Sequence, residues 1–477
     1  MWKTFLALAT LFCAVQAAVA EGFSKGDQVE LVRPAPLYFK ETYLIRVGTV
    51  GERFTVLMEK TGQQRVFLSS RDALGNEVAL SISKDALRLV TQPGTSPERG
   101  ANISVTMMAR AISQNMPATM AARMSFEARS EALRMNGGKK ESDEAVLRGL
   151  RWLVQNQNPD GSWGRRGTTG AAMTGFSILS LLGHGETTDS AEFGPAVKKA
   201  LDWLVTNGNT YDSRLSMEQS FTQAGTYAHA IVTFALGEYY TLTKDARVVD
   251  LLKKAVGYIV AGQGPDGGWM YSYDRSTPGD TSVSGWQIQA LKAAHLSGLN
   301  IDGVDAALDK AMLNLARVRG KTGGFGYRTS TVEKYSLTGV GVFCTYIWKQ
   351  EKDKLVHDGI DYIIDHATKK DFKDTYFPVE YKGEKADLYA WYYNTQACFM
   401  YGGQAWDTWN SRLQDELVTN QSPDGSWPAM PGKSVVSYQT TPAGDGPIYR
   451  TNFCILMLEV YYRYLPTGDI RFSRPQK

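Results

Sequence analysis

The chain has 477 residues, long enough for two or three domains, with 43% hydrophobic and 21% charged residues and a net charge of +3. That charge is too small to argue for nucleic acid or an acidic surface as partner. Past the first residues no stretch approaches the roughly 20 apolar residues that span a bilayer, so no transmembrane segment is expected once a leader is removed.

Residues 1–20 read as a signal peptide. Lys3 supplies the positive start, Phe5 to Val15 the apolar core, and Ala18-Val19-Ala20 a small-residue cleavage site. Phe12 stands where lipidation at Cys13 would need a small residue. A periplasmic or secreted protein is therefore expected. Residues 21–95 change character. Val29–Val32, Val47–Val50, Arg53–Met58, Gln64–Leu68 and Leu87–Val90 are short, β-rich and separated by turn residues. This pattern resembles bacterial SH3-like domains and implies a small β-barrel that docks a partner such as an envelope protein. Residues 96–141 read as a linker with one amphipathic helix in the stretch Met116 to Met135.

From residue 142 to 477 the chain repeats. Gln157-Asn-Pro-Asp-Gly-Ser-Trp163, Gln263-Gly-Pro-Asp-Gly-Gly-Trp269 and Gln421-Ser-Pro-Asp-Gly-Ser-Trp427 are near-copies, spaced by two and three multiples of about 53 residues. Stepping by that period reaches Leu215, Phe325 and Tyr376, with a degenerate copy at Gly323-Gly-Phe-Gly-Tyr327. Amphipathic runs precede the phrases: Val146 to Val154, Val197 to Val205, Leu251 to Val260, Ala306 to Val318 and Leu355 to Ile364. Runs that are apolar or small all round follow them: Met173 to Leu182, Ala228 to Leu236, Thr281 to Leu291, Leu337 to Tyr346, Asn394 to Met400 and Asn452 to Val460. Pro-Asp-Gly breaks the helix between. Half-exposed and fully buried helices in alternation predict a mainly α fold, with an inner ring inside an outer one. The tryptophans are expected to fill helix corners, and the glutamines to satisfy amides at the next helix start.

These phrases resemble the QW repeats of squalene and hopene cyclases and the glycine-rich repeats of protein prenyltransferase β-subunits. The resemblance implies an α/α toroid of six helical hairpins, the terpenoid cyclase/prenyltransferase-like fold. Gly279 to Gln287, Trp391 to Gln396, Trp406 to Asn410 and Leu458 to Pro466 also resemble exported bacterial proteins known as prenyltransferase/squalene oxidase repeat proteins. That resemblance implies the fold and export, and no named activity.

In such a toroid the inner-helix starts open onto one end of the lumen, where ligands sit. The catalytic candidates are Asp280, Asp274, His229 and Tyr227. The ligand-binding candidates are Tyr271, Tyr273, Trp286, Tyr335, Trp391, Tyr392, Gln396, Tyr449 and Arg450. The cyclases protonate an alkene with the middle aspartate of a DxDD motif, and the best match here is Thr277-Pro-Gly-Asp-Thr281. Only the last Asp survives, and Gly279 stands at the donor position. Asp280 is either the cap of the next helix or a ligand-contacting acid. The Asp, Cys and His zinc ligands of the prenyltransferases find no match, and the five histidines are scattered, so no metal or other cofactor is expected. Cys344, Cys398 and Cys454 read as buried small hydrophobes.

The leading functional expectation is a toroid that binds a hydrophobic or polymeric, extended ligand, or a partner protein, in its cavity. The alternatives are a terpene cyclase-like or polysaccharide lyase-like enzyme with a non-standard acid, and an envelope interaction scaffold.

Overall fold

The phrase Pro-Asp-Gly sits where one helix must stop and another must start close by. In the computed structural model each copy does this at the same end of the molecule. The structure describes seven strands between Gln28 and Leu89, Met120, Arg123, and residues 126–464 apart from 373 and 433–435. The expected leader lies outside the described residues, as does most of the expected linker. The chain forms two compact units, residues 1–122 and 123–477.

In the first unit the strands are β1 Gln28–Leu31, β2 Ala35–Phe39, β3 Tyr43–Gly48, β4 Arg53–Glu59, β5 Arg65–Arg71, β6 Glu77–Ser83 and β7 Leu87–Leu89. They form one antiparallel sheet in the order β3-β2-β6-β5-β4-β1-β7. Two strands exceed the expectation, β2 and β6. β2 contains Pro36, which demotes a run in sequence-based reading. Val29, Phe54, Leu68 and Ile82 are buried and mark its apolar face.

The second unit begins with helix α1 Phe126–Met135, inside the stretch Met116 to Met135 expected to hold one amphipathic helix. It continues as hairpins α2 Lys140–Gln155 with α3 Thr168–Gly183, α4 Gly194–Thr210 with α5 Gln223–Thr243, and α6 Val249–Ala261 with α7 Thr281–Leu296. Then come α8 Val304–Val318 with α9 Tyr335–Lys349, α10 Lys354–Thr368 with α11 Leu388–Tyr401, and α12 Gly403–Thr419 with α13 Asp445–Leu458. A short α14, Val460–Arg463, follows and packs on α1. The inner helices α3, α5, α7, α9, α11 and α13 pack each on the next, and α13 packs back on α3. The ring is closed, as an α/α toroid requires. Each outer helix packs behind the inner helix of the preceding hairpin, and α2 lies behind α13.

Two side chains and a glycine of each phrase make the corner. The indoles of Trp163, Trp269 and Trp427 are wholly buried. Their Nε1 atoms donate to the carbonyls of Leu153, Ile259 and Leu417 at 2.7, 2.7 and 2.8 Å. Those carbonyls belong to the last turn of the preceding outer helix, and Leu153 O takes the Asn156 amide as well, at 3.1 Å. Gln157, Gln263 and Gln421 act differently from expectation, because they cap carbonyls rather than amides. Each Nε2 donates to a carbonyl of its own turn and to one in the first two turns of the next outer helix around the ring: Ala196 at 2.9 Å, Ala307 at 2.7 Å and Ala145 at 2.8 Å. The turn itself demands glycine. Gly267 holds φ at +85°, and a Cβ there would run into the carbonyl of Lys310.

The degenerate units reach the same geometry by other means. The backbone amides of Trp163, Trp269 and Phe325 donate to hydroxyls of the inner helix that follows: Thr174, Ser284 and Thr338. In the second hairpin Leu215 N donates to His229 Nδ1 at 3.0 Å, and His229 Nε2 meets Ala255 O at 2.9 Å. Beside Phe325 the lost Asp is replaced by Glu333, whose carboxylate takes the amides of Thr322 and Gly324 at 2.9 and 3.0 Å.

Candidate functional site

The six inner helices run in parallel, so their first turns surround one mouth of the ring. Between them lies a cavity of about 620 Å³, reached by side chains from all six. The register of each helix start decides which side chains enter. Counting from the N-cap, the second helical position faces the cavity in five of the six: Thr169, Ala224, Ser282, Ser336 and Tyr389. One and two turns further on come Met173, Tyr227, Trp286 and Tyr449, then Phe176, Ile231 and Phe453. This is the spacing of one helical face. The floor is aromatic. Phe176 stands edge-on to Trp286 at 5.4 Å and to Phe453 at 5.1 Å, and Tyr449 stacks on Phe453 at 4.2 Å.

Asp280 caps α7 as the first reading of that residue requires. Its Oδ1 accepts from the amides of Ser282 at 2.7 Å and Val283 at 3.2 Å, and from Ser282 Oγ at 2.5 Å. The carboxylate is buried, and its Oδ2 has no hydrogen-bond partner. Tyr227 Oη lies 2.8 Å from Ser282 Oγ, and Tyr271 Oη lies 2.5 Å from Tyr327 Oη. Burial first, then the nearby Asp280 charge, pushes the Tyr227 phenol far up. Burial likewise raises Tyr271 and Tyr327. These hydroxyls stay neutral across the physiological range and serve as hydrogen-bonding groups.

Of the residues singled out in the sequence, Tyr227, Tyr271, Trp286 and Tyr449 line the cavity. The others are engaged elsewhere. His229 is wholly buried in the corner described above, and burial holds its pKa down to about 4 despite the bond to Ala255. It is a neutral structural group. Asp274 is exposed and closes its own turn through Ser276 and Thr277. Tyr273 packs on Phe221 at 4.7 Å and donates to Gln287 at 3.0 Å. Tyr335 stacks on Phe377 at 4.7 Å. Trp391, Tyr392 and Gln396 are fully buried within the ring, with Tyr392 stacked under Trp286 and Gln396 taking the hydroxyl of Tyr464 at 2.6 Å. The Arg450 guanidinium binds the carbonyls of Trp427, Tyr438, Gln439 and Thr441 and so pins the last loop. The cavity residues outside the sequence candidates include Phe176, Tyr327, Tyr389 and Phe453. Counting two residues on from the capping Asp387 would have found Tyr389, as it does Ser282 after Asp280. Among the described residues no cluster of His, Cys, Asp and Glu could hold a metal ion.

The capping account makes a direct prediction. Asp280→Ala is expected to cost about 1 kcal/mol of stability and Asp280→Ser to restore most of it. Thermal unfolding of the two variants side by side checks this. An alanine variant as stable as the parent would remove the cap as Asp280's role.

Residues 142–336 match the model of a family described as "Domain of unknown function (DUF6288)". A drimenyl diphosphate synthase of Streptomyces showdoensis is 29% identical over 144 residues, which is 29% of this chain and 25% of that protein. A terpene cyclase-glycosyl transferase fusion protein of Humicola fuscoatra is 34% identical over 82 residues, 15% of this chain and 6% of that protein. The matched stretches therefore span a quarter or less of these relatives. Among solved structures, the type II terpene cyclase MstE from Scytonema covers 67% of this chain and 98% of its own, at 11% identity and a TM-score of 0.44. An inactive α-1,6-mannanase variant of Salegentibacter sp., in complex with α-1,6-mannotriose, covers 67% and 99%, at 12% identity and a TM-score of 0.49.

Proposed function

We propose that the toroid binds an elongated, largely apolar molecule in the mouth formed by its inner-helix starts. One observation carries this reading. Four aromatic residues singled out in the sequence, Tyr227, Tyr271, Trp286 and Tyr449, converge on one cavity of about 620 Å³ whose floor is aromatic. That volume lies in the range of small-molecule sites, and apolar walls with a few hydroxyls are what such sites use. The phenols are pushed up by burial, so they orient a ligand rather than exchange protons with it near neutral pH.

The test fills the cavity. Ala172 lines it and is partly exposed within it. Ala172→Trp is expected to abolish saturable binding of an apolar fluorophore such as anilinonaphthalene sulfonate while circular dichroism stays unchanged. Binding of equal strength in the filled variant would refute the reading.

A second reading, a cyclase-like or lyase-like enzyme, rests on the buried Asp280 Oδ2, which has no partner. The partial likeness to a drimenyl diphosphate synthase supports its cyclase form. Gly279 at the resembling cyclases' donor position weighs against it. Turnover of an added polyprene, lost in Asp280→Asn, would replace binding by catalysis.

The first unit completes the proposal. The chain is exported through its leader, and the N-terminal sheet is an SH3-like module that docks an envelope partner. A mature N-terminus at Glu21, found by mass spectrometry of the secreted or periplasmic fraction, would support export, and an intact Met1 there would refute cleavage.

A further inference from the structure

Two arginines lie in the interior near the far end of α5, away from the cavity mouth. Arg123 is engaged there. Its Nη1 donates to Glu238 at 2.9 Å, and its Nη2 donates to the carbonyl of Arg463 at 2.9 Å. Arg463 is the last residue of α14 and is wholly buried. Its Nη2 stands 3.8 Å from Glu238, too far for a hydrogen bond. The centre of its guanidinium lies 5.6 Å from the Phe234 ring and 5.4 Å from the Tyr464 ring. Phe234 and Glu238 are four apart and share one face of α5. None of the three Arg463 guanidinium nitrogens has a hydrogen-bond partner.

Glu459 stands one turn earlier in the chain. Both of its carboxyl oxygens are buried and also without a partner, and Oε2 fills the place where a Cβ on Gly183 would go. The two groups can respond to this differently. An unpaired buried carboxyl sheds its charge by keeping a proton, and burial pushes Glu459 well up. A guanidinium cannot give its proton away at any pH a protein meets. Arg123 and Arg463 therefore bring two positive charges against the one negative charge of Glu238.

We propose that the Arg463 guanidinium binds a small monovalent anion of the chloride class, enclosed where α14 meets α5. The charge left over selects a monovalent ion, and a divalent one would overshoot. Burial on all sides selects a small one. A water molecule would satisfy the N–H groups and leave the charge unbalanced in the interior. The ion fastens the end of α14 to α5, beside the bond from Arg123. None of these residues lines the cavity, so the inference stands apart from the binding reading above.

Thermal unfolding of the full chain at neutral pH tests it, with sodium chloride or sodium bromide replacing sodium gluconate at constant ionic strength. Gluconate is too bulky for an enclosed site. The melting temperature is expected to rise by roughly 2–4 °C for each tenfold increase in halide beyond half-saturation. Arg463→Met should remove that dependence, whatever it does to the melting temperature itself. In crystals of the parent grown in bromide, an anomalous peak is expected within hydrogen-bonding reach of the Arg463 guanidinium. Equal melting in halide and gluconate overturns the proposal. A bromide peak without the halide dependence does so too, and marks an adventitious ion only. So does a water in that place, or the Glu459 carboxylate turned onto Arg463. Halide dependence that survives in Arg463→Met puts the ion elsewhere and also refutes the site. The bromide crystal needs only the parent protein, so it decides the matter even if the variant misfolds.

Discussion

Glu238→Ala is expected to lose about 3–5 kcal/mol of stability at pH 7, the range for breaking a buried ion pair by removing one partner. Glu238 lies near the far end of α5, away from the cavity mouth. Arg123 donates to it at 2.9 Å, and Arg463 approaches at 3.8 Å. Both arginines are buried, and Arg463 has no hydrogen bond from its guanidinium. Without Glu238 two guanidiniums would lie in the interior, with Glu459 also in their field. Burial pushes the Glu459 carboxyl well up, against the pull of Arg463 and Arg123, so it remains protonated beyond the usual range. Chemical denaturation at pH 7 measures the loss. Asp202→Ala, which breaks exposed pairs with Lys198 and Arg247, is the control and should cost under about 1 kcal/mol. A Glu238 variant no worse than the control would mean that the interior charges are not coupled to the fold.

The pH profile follows from opposite signs at the two acids. For Glu238, burial is outweighed by Arg123 and Arg463, and its pKa in the fold is lowered. Its contribution is therefore complete above the unfolded value near about 4.3 and is lost as pH falls through the lower folded value. Glu459 is raised, so its contribution is complete below that unfolded value and declines as pH rises above it. Removing Glu238 should flatten the acid limb of the stability profile, and Glu459→Gln the decline that follows.

Trp269→Ala is expected to cost about 3–5 kcal/mol, the range for deleting a buried Trp or Phe. The indole is wholly buried, and its Nε1 holds the Ile259 carbonyl at 2.7 Å. Trp269→Phe keeps most of the burial and gives up that bond and some volume, so roughly 1–2 kcal/mol should be lost. Equilibrium unfolding of both variants checks the ordering. Equal losses would mean that the hydrogen bond and not the burial holds the corner.

The corners were legible because every hairpin needs the same turn, and only a few residue types make it. A positive φ beside a crowding carbonyl admits glycine alone, so Gly267 and its counterparts recur in the sequence. The degenerate corners were not legible. His229 and Glu333 do for their units what phrase residues do elsewhere, from positions 14 and 9 residues away along the chain. Their roles depend on where the fold places them. The site was half legible for a related reason. Inner helices are buried all round, so no polar stripe tells the lumen face of α11 from its back, and Trp391 and Tyr392 were indistinguishable from Tyr389. The N-cap breaks that degeneracy, because it sets the rotation of the helix relative to the mouth.

The clasp between Gln421 and Ala145 joins positions 276 residues apart, yet it has the same form as the clasp between Gln263 and Ala307, 44 apart. Ser142 with Gln414 and Ser180 with Asn452 close the same seam at a separation of 272. Loop-closure entropy rises only with the logarithm of length, so the long seam costs little more than the short one once both ends are folded. Its contacts still span most of the unit's length, which places them late on the folding route. The hairpins grow as an arc with two sticky edges until α13 meets α3. An open solenoid must blunt its two terminal repeats with polar caps. Here the last repeat and the first serve as each other's cap, and until they meet, a neighbouring chain's edge competes for the same clasp.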